Sequence, residues 1–293
     1  MPVEPVALEG VSAEMLREIE TLAVELSRLA GAEIVNSLGK LLAVRYKGVP
    51  EQEQQQWRDP VSEVDSHVEQ LIRARLAEKF PGHDILGEES EERPGRGHHF
   101  IWAVDPIDGT TNFINGFPAF AASIGVLRRG QPIVGALWCA STHALRAGVY
   151  HAHRGGLLHF DDEPLKREHN PDIRRRLAGE PNLAQAPLHP FEVRKTGSAA
   201  IECAFVAAGL LRVARFERPN VWDIAGGIAL VEAAGGEVLA FDGDDWSAFD
   251  GFSAPEADGE PGDIRHWRRP VILGERDAVA LVRDMHLKSS RAA

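Results

Sequence analysis

Phe100-Ile-Trp-Ala-Val-Asp-Pro-Ile-Asp-Gly-Thr-Thr-Asn112 decides the fold of this chain. Phe100 to Val104 is an uninterrupted apolar run, the pattern of a buried strand. Asp105 is expected to end that strand, Pro106 to break it and Gly109 to allow a tight turn. Thr110 and Thr111 then stand where a helix or turn could begin, with unpaired backbone N–H groups. Asp105 and Asp108 are three positions apart at the carboxyl end of the strand, where α/β folds place ligands. Neighbouring carboxylates repel unless a cation or a proton lies between them. Hard oxygen ligands suit Mg²⁺, and exposed N–H groups suit phosphate. The pattern points to metal-assisted phosphate chemistry.

The flanking sequence supplies helices and strands around this centre. Met15, Ile19, Leu22, Leu26 and Leu29 predict an amphipathic helix from about Ser12, its N-cap, to Leu38. Leu42 to Tyr46 reads as a short strand, and the polar Lys47–Trp57 stretch as a loop or a lid. A second helix is expected over Asp65 to Phe80, with Asp65 capping its start and Pro81-Gly82 ending it. His83 to Leu86 reads as a strand leading to Glu88 and Glu89, and the glycine-rich 91–99 stretch as a loop with His98 and His99 at the surface. Beyond the central motif, strands are expected over 119–127 and 132–138, joined by a turn at Arg128-Arg129-Gly130. Further strands are expected over 145–150 and 156–160. His143, His151, His153 and His159 scatter through this region and read either as outer-face strand residues or as a zinc site. The polar stretch 161–190 separates two expected lobes, about 12–185 and 186–293. In the second lobe Ser198 caps a helix running to Ala208. Strands over 211–216, 237–241 and 271–273, a helix starting at Asp223, an acidic 242–268 loop and a short final helix complete the reading.

Whole-chain properties narrow the class. A chain of 293 residues is long enough for a large core. A formal net charge of −12 argues against general nucleic-acid binding. Cys139 and Cys203 lie in apolar segments and read as buried thiols, which fits a reducing compartment. No signal peptide and no membrane-length apolar run is visible, so a cytoplasmic location and no membrane partner are expected.

Taken together, Gly87-Glu-Glu-Ser90, Asp105-Pro-Ile-Asp-Gly-Thr-Thr-Asn112 and Val221-Trp-Asp-Ile-Ala-Gly226 resemble the inositol monophosphatase family, in family order. Asp59-Pro-Val-Ser-Glu-Val-Asp65 and Gly197-Ser-Ala-Ala200 add to the resemblance, which covers roughly Ser12 to Phe241. It implies an α+β fold, a layered α-β-α-β-α sandwich of the inositol monophosphatase / fructose-1,6-bisphosphatase type. It also implies two or three Mg²⁺ ions per site, lithium sensitivity and a homodimer. By position, the first ion would meet Glu88, Asp105 and the carbonyl of Ile107. The second would meet Asp105, Asp108 and Asp223, and a third, weaker one Glu88 and water. Asp65 and Thr110 would orient and help deprotonate the attacking water. N–H groups near Gly109 and Thr110 would hold the phosphate, with Ser198, Ala199 and Glu217 beside the substrate's hydroxyls.

The implied reaction is hydrolysis of a small phosphate monoester. Inositol phosphates, histidinol phosphate, fructose 1,6-bisphosphate, NADP and 3′-phosphoadenosine nucleotides are all substrates within the family. The segment from Glu217 to Asp223 is one residue shorter than in the inositol phosphatases, in the element that helps select the polyol. Two rivals differ in class. In the haloacid dehalogenase signature an aspartate is phosphorylated, but its two aspartates enclose one residue, whereas Asp105 and Asp108 enclose two. A non-catalytic binding protein on the same fold would have no need of the full acidic set.

Overall fold

Ser12 accepts a hydrogen bond from Met15 N at 3.1 Å and starts helix α1, Ala13–Ser37. The computed structural model describes residues 11–40, 42–46, 60–90, 99–167, 169–170, 172–180, 191–253 and 263–292. The Lys47–Trp57 stretch, expected as a loop or a lid, His98 and part of the 242–268 loop lie outside these residues. Strands β1, Val44–Tyr46, and β2, Pro60–Ser62, pair antiparallel ahead of helix α2, Glu63–Lys79.

A seven-stranded sheet follows. Its strands are β3, Asp84–Gly87; β4, Phe100–Asp108; β5, Ala121–Arg128; β6, Gln131–Cys139; β7, Gly148–His153; β8, His159–Phe160; and β9, Glu163–Pro164. They lie side by side in chain order, with only the β3–β4 pair parallel. The turn between β5 and β6 places Arg129 at φ 49° and Gly130 at φ 78°. Two consecutive left-handed residues match the twist of a tight hairpin, as the Arg128-Arg129-Gly130 reading required. The short helix α3, Thr110–Ile114, leaves the end of β4 from Gly109, whose φ is 90°.

The second sheet has six strands in the order β11-β10-β12-β15-β13-β14. These are β10, Leu177–Gly179; β11, Glu192–Arg194; β12, Val213–Phe216; β13, Glu237–Phe241; β14, Trp246–Ala248; and β15, Val271–Gly274. Helices α4, Ala199–Ala207, and α5, Val221–Ala233, lie between the sheets, and α6, Arg276–Ala292, covers the outer face. α6 is 17 residues long, where a short helix was expected.

Three apolar clusters define the layers. α1 and α2 contribute Ile19, Leu26, Ile34, Val68 and Ile72 against Trp102, Ile124 and Val134 of the first sheet. The other face of that sheet, α4, α5 and the inner face of the second sheet share one core, including Leu137, Tyr150, Ile201, Ile228 and Leu273. Val279 and Val282 of α6 close the outer side with Ile272 and Leu239. The result is the expected α-β-α-β-α sandwich. Both cysteines are free and buried, and no described helix is long and apolar enough to cross a membrane.

Candidate active site

β4 does not end at Asp105. It continues through Pro106 to Asp108, and its pairing with β5 shifts register between Asp105 and Asp108. Proline has no N–H for the ladder, so the strand bulges there instead of stopping. The bulge presents two carboxylates at one strand end. Asp105 Oδ1 accepts from Ile107 N at 3.0 Å. Asp108 Oδ2 accepts from Ser198 Oγ at 2.5 Å and from Ala200 N at 2.6 Å. The start of α4 is thereby tied to the first sheet, and Ser198 also caps that helix by accepting from Ile201 N at 3.2 Å.

α5 begins at Val221, two residues before the expected start, so Asp223 is the third residue of the helix rather than its first. Its carboxylate reaches back to Asn220 N at 2.8 Å. Glu88 follows β3, and its N–H donates to Val104 O at 3.1 Å, which lays the 87–89 turn beside β4.

The four acids sense one another. Burial pushes the Asp105 carboxyl well above the ordinary range, and the charges of Glu88, Asp108 and Asp223 push it further. Burial also drives Asp223 well up, helped by Asp108 and Glu88. It takes Asp108 from 3.8 to about 6 against the lowering bonds from Ser198 and Ala200. No three of these acids bring one oxygen each within 4.8 Å of one another. They form a shared electrostatic pocket with Asp108 turned toward α4.

Asp65 was expected either to cap α2 or to serve the site; one of its oxygens caps the helix and the other faces Thr110. Oδ2 closes a capping box, accepting from Ser62 N at 2.8 Å and Ser62 Oγ at 2.5 Å. Oδ1 lies 3.1 Å from Thr110 Oγ1. The Thr110 hydroxyl is also 2.8 Å from the Ile107 carbonyl, so its one hydrogen is shared between two acceptors. Burial raises Asp65, with the bonds from Ser62 opposing. Ala199 is buried at the start of α4. Glu217 is partly exposed, 3.4 Å from Nε of the buried Arg215, which Glu180 holds from the other side.

Several supporting residues escaped the sequence reading. Glu69 of α2 accepts from Glu89 N at 2.8 Å and so fixes the Glu88 turn. A Cβ on Gly87 would lie 2.3 Å from the Glu69 carboxylate, which is why the turn needs glycine there. Asn112 donates to Ala119 O at 2.6 Å and Thr196 O at 2.8 Å, joining the β4 motif to the second half of the chain. Thr196 in turn bonds Glu202 through its N–H and hydroxyl, at 3.1 and 2.9 Å. Burial pushes Glu202 up to about 8. Arg265 and Arg268 sit over the Trp222 ring, 5.4 and 5.9 Å from its centroid. Burial lowers the Arg268 pKa, while the neighbouring Asp223 charge raises it and Arg218 and Arg265 lower it again. The only local sign of this basic rim was the arginine-rich 265–269 run itself.

The shifted acids predict an inverted pH response. Asp105, Asp108 and Asp223 hold protons in the folded chain that an unfolded chain releases. Their contribution to stability is present below the ordinary carboxylate pKa and is lost as pH rises through about 6, the Asp108 value, and beyond. In chelator, the melting temperature should therefore fall from about pH 5 to about pH 8. Calorimetry across this range checks it. A flat or rising melting temperature in chelator would show that the acids are not held as described.

A sequence model of the inositol monophosphatase family matches residues 15–268. The chain is 31% identical over 249 residues to the chloroplastic phosphatase IMPL1 of Arabidopsis thaliana, covering 78% of this chain and 64% of that protein, less than two thirds of its length. It is 30% identical over 250 residues to the inositol-1-monophosphatase of Bacillus subtilis, covering 80% and 90% of the two chains. Among solved structures, the extragenic suppressor protein suhB of Bartonella henselae superposes with a TM-score of 0.69 at 26% identity, covering 91% of this chain and 97% of that one. With the matched motifs gathered at one end of β4, this chain belongs to the inositol monophosphatase family, whose members are phosphoric monoester hydrolases.

Proposed function

We propose that the protein is a Mg²⁺-dependent phosphatase of small phosphorylated metabolites. The observation that carries this reading is the set of one buried and two half-buried carboxylates, Asp105, Asp108 and Asp223, raised by desolvation and by neighbouring charge. A pocket of crowded oxygen donors that resist ionising together until a cation is present fits hard divalent cations. Glu88, Asp105, the Ile107 carbonyl, Asp108 and Asp223 would hold two such ions, with a third, weaker one on Glu88 and water. The ions would supply charge stabilisation and a more acidic attacking water, as phosphoryl chemistry requires.

The chain's own residues do the rest. Thr110 keeps lone pairs on Oγ1 that can accept a water proton, and it hands its hydrogen toward Asp65 Oδ1 at 3.1 Å. A buried Asp65 with a raised pKa is a better base than an exposed aspartate. The N–H groups near Gly109 and Thr110 receive phosphate oxygens, and Ser198, Ala199 and Glu217 line the side of the leaving group. A homodimer in the cytoplasm belongs to the same reading, and sedimentation tests the first part of it.

The basic rim favours a second specification. Arg218, Arg265 and Arg268 lie within electrostatic reach of one another beside Asp223, which suits a substrate with a second anionic group better than a singly phosphorylated polyol. The test is a phosphate-release panel with Mg²⁺, with and without Li⁺. It covers inositol 1-phosphate, histidinol phosphate, fructose 1,6-bisphosphate, NADP and 3′-phosphoadenosine 5′-phosphate. We expect a doubly anionic substrate to lead, and Arg268→Ala to raise its KM about tenfold, the value of one charge-assisted hydrogen bond. A lead by inositol 1-phosphate with no effect of Arg268→Ala would overturn the second specification alone. No turnover on any substrate would move weight to the non-catalytic binding protein.

A further inference from the structure

A second cluster of metal-binding chemistry is built on α1, β7 and β8, away from the carboxylate pocket. His151 and His153 are two apart on β7 and so point to the same face of the sheet. The register of β8 sets His159 directly opposite His151, and the two rings stack with centroids 5.1 Å apart and planes 9° apart. Glu20 comes down from α1 onto this face and is 8% exposed. Its Oε1 lies 2.6 Å from His151 Nδ1, and its Oε2 bonds His153 Nδ1. One oxygen of Glu20 and one nitrogen each of His151 and His159 lie within 4.8 Å of one another, the only such trio of His, Cys, Asp and Glu among the described residues. His143, the fourth histidine of this region, bonds the Tyr150 hydroxyl instead.

The outward nitrogens of two rings are fixed by backbone carbonyls. His151 Nε2 faces Asp161 O at 2.7 Å, and His159 Nδ1 faces Leu157 O at 3.0 Å. A carbonyl only accepts, so both of those nitrogens carry hydrogen. In a neutral ring this leaves His151 Nδ1 and His159 Nε2 as lone pairs. His151 Nδ1 then faces a carboxylate oxygen at 2.6 Å, acceptor against acceptor, a spacing that holds a shared proton. A metal replacing that proton would part the two atoms to about 3.3 Å, the separation of neighbouring ligands in a tetrahedral site. Burial alone would raise the Glu20 carboxyl, yet the bonds from His151 and His153 bring it to about 2, so it is an anion ready to bind either.

Two features favour a metal. A ligand histidine whose second nitrogen donates to a backbone carbonyl is the usual supporting arrangement of metal sites. Two imidazoles and one carboxylate, with water free to fill the shell, also form a donor set for zinc-like ions and not for Mg²⁺. We propose that Glu20, His151 and His159 bind one borderline divalent transition metal ion of the zinc class, with His153 holding the second oxygen of Glu20, which would tie α1 to the β7–β8 edge of the sheet.

The test uses the full-length protein, stripped of metal and held in saturating Mg²⁺, titrated with Co²⁺ and then dialysed against Zn²⁺. We expect one equivalent to bind with the visible bands of nitrogen-ligated, low-coordinate cobalt. His159→Ala removes a ligand that makes no bond to Glu20, so the fold and the Glu20 pairs stay intact. It should weaken binding at least about tenfold. Asp105→Asn, in the other site, should leave the spectrum unchanged. Absence of binding, an identical spectrum and affinity in His159→Ala, or loss of the spectrum in Asp105→Asn would each overturn the proposal. The first of these would leave Glu20 and its histidines as a proton-bridged charge pair.

Discussion

Asp105→Asn should lower Mg²⁺-dependent phosphate release by at least about a thousandfold in kcat, while the metal-free protein loses no stability. The two halves of this expectation have one cause. Asp105 is 3% exposed and surrounded by the charges of Glu88, Asp108 and Asp223. Asparagine keeps the shape, and its Oδ1 can still accept from Ile107 N, the bond that Asp105 makes at 3.0 Å. What disappears is the charge at the centre of the donor set. Without metal that charge is a burden, because burial and like charges both oppose it. The variant should therefore melt in chelator at or above the wild-type temperature, and its response to Mg²⁺ should shrink. Calorimetry with and without Mg²⁺, run beside the phosphate assay, separates the outcomes. A variant that keeps a tenth or more of the activity would remove Asp105 from the reacting centre. One that melts far lower in chelator would make it a structural residue first.

How much of this was legible in the sequence depends on the range of the interaction. The motif at Phe100–Asn112 could be read directly, because strand, bulge and turn are set by residues within a few positions of each other. Pro106 was still misjudged as a breaker. Its missing N–H was absorbed by a register shift against β5, and only the partner strand makes that visible. Asp65 was open between cap and site residue, and no sequence pattern could have decided, since one oxygen caps α2 while the other faces Thr110. Other supports join residues far apart in the chain: Glu69 to the Glu89 N–H, Asn112 to Thr196, and Arg265 to Trp222. Glu20 and His151 are 131 positions apart. The histidines alone read either as outer-face strand residues or as a zinc site, and their convergence depends on the β7–β8 register and on where α1 is laid. Local chemistry was readable and long-range pairing was not, because apolar periodicity says which face is buried without saying against what.

Gly125→Ala should produce the second large effect, and it links the core to the site. Gly125 on β5 and Gly135 on β6 are directly paired across the ladder, and together they form a flat seat for α5. A Cβ at Gly125 would fall 2.4 Å from Gly226 N and 2.7 Å from the Ala225 carbonyl carbon. At Gly135 it would fall 2.2 Å from Gly226 O. The obstacles are backbone atoms of a buried helix, which cannot rotate aside as a side-chain tip could. The helix must lift from the sheet, at about 3 kcal/mol for a single added methyl. For a chain of this size that corresponds to a fall in melting temperature of roughly 5 °C. Asp223 sits one turn before Gly226 on the same helix, so lifting α5 also moves a proposed metal ligand away from Asp105 and Asp108. A displacement near 1 Å at a reacting centre is worth up to about a hundredfold in rate. Activity measured well below the new melting temperature should therefore fall about tenfold or more, with weaker Mg²⁺ dependence. Gly82→Ala is the control, since a Cβ there meets nothing within 4 Å. A Gly125→Ala protein that melts like the wild type would show that the helix has room to spare. One that melts lower but keeps its kinetics would show that α5 is seated for packing alone and that Asp223 finds its place by other means.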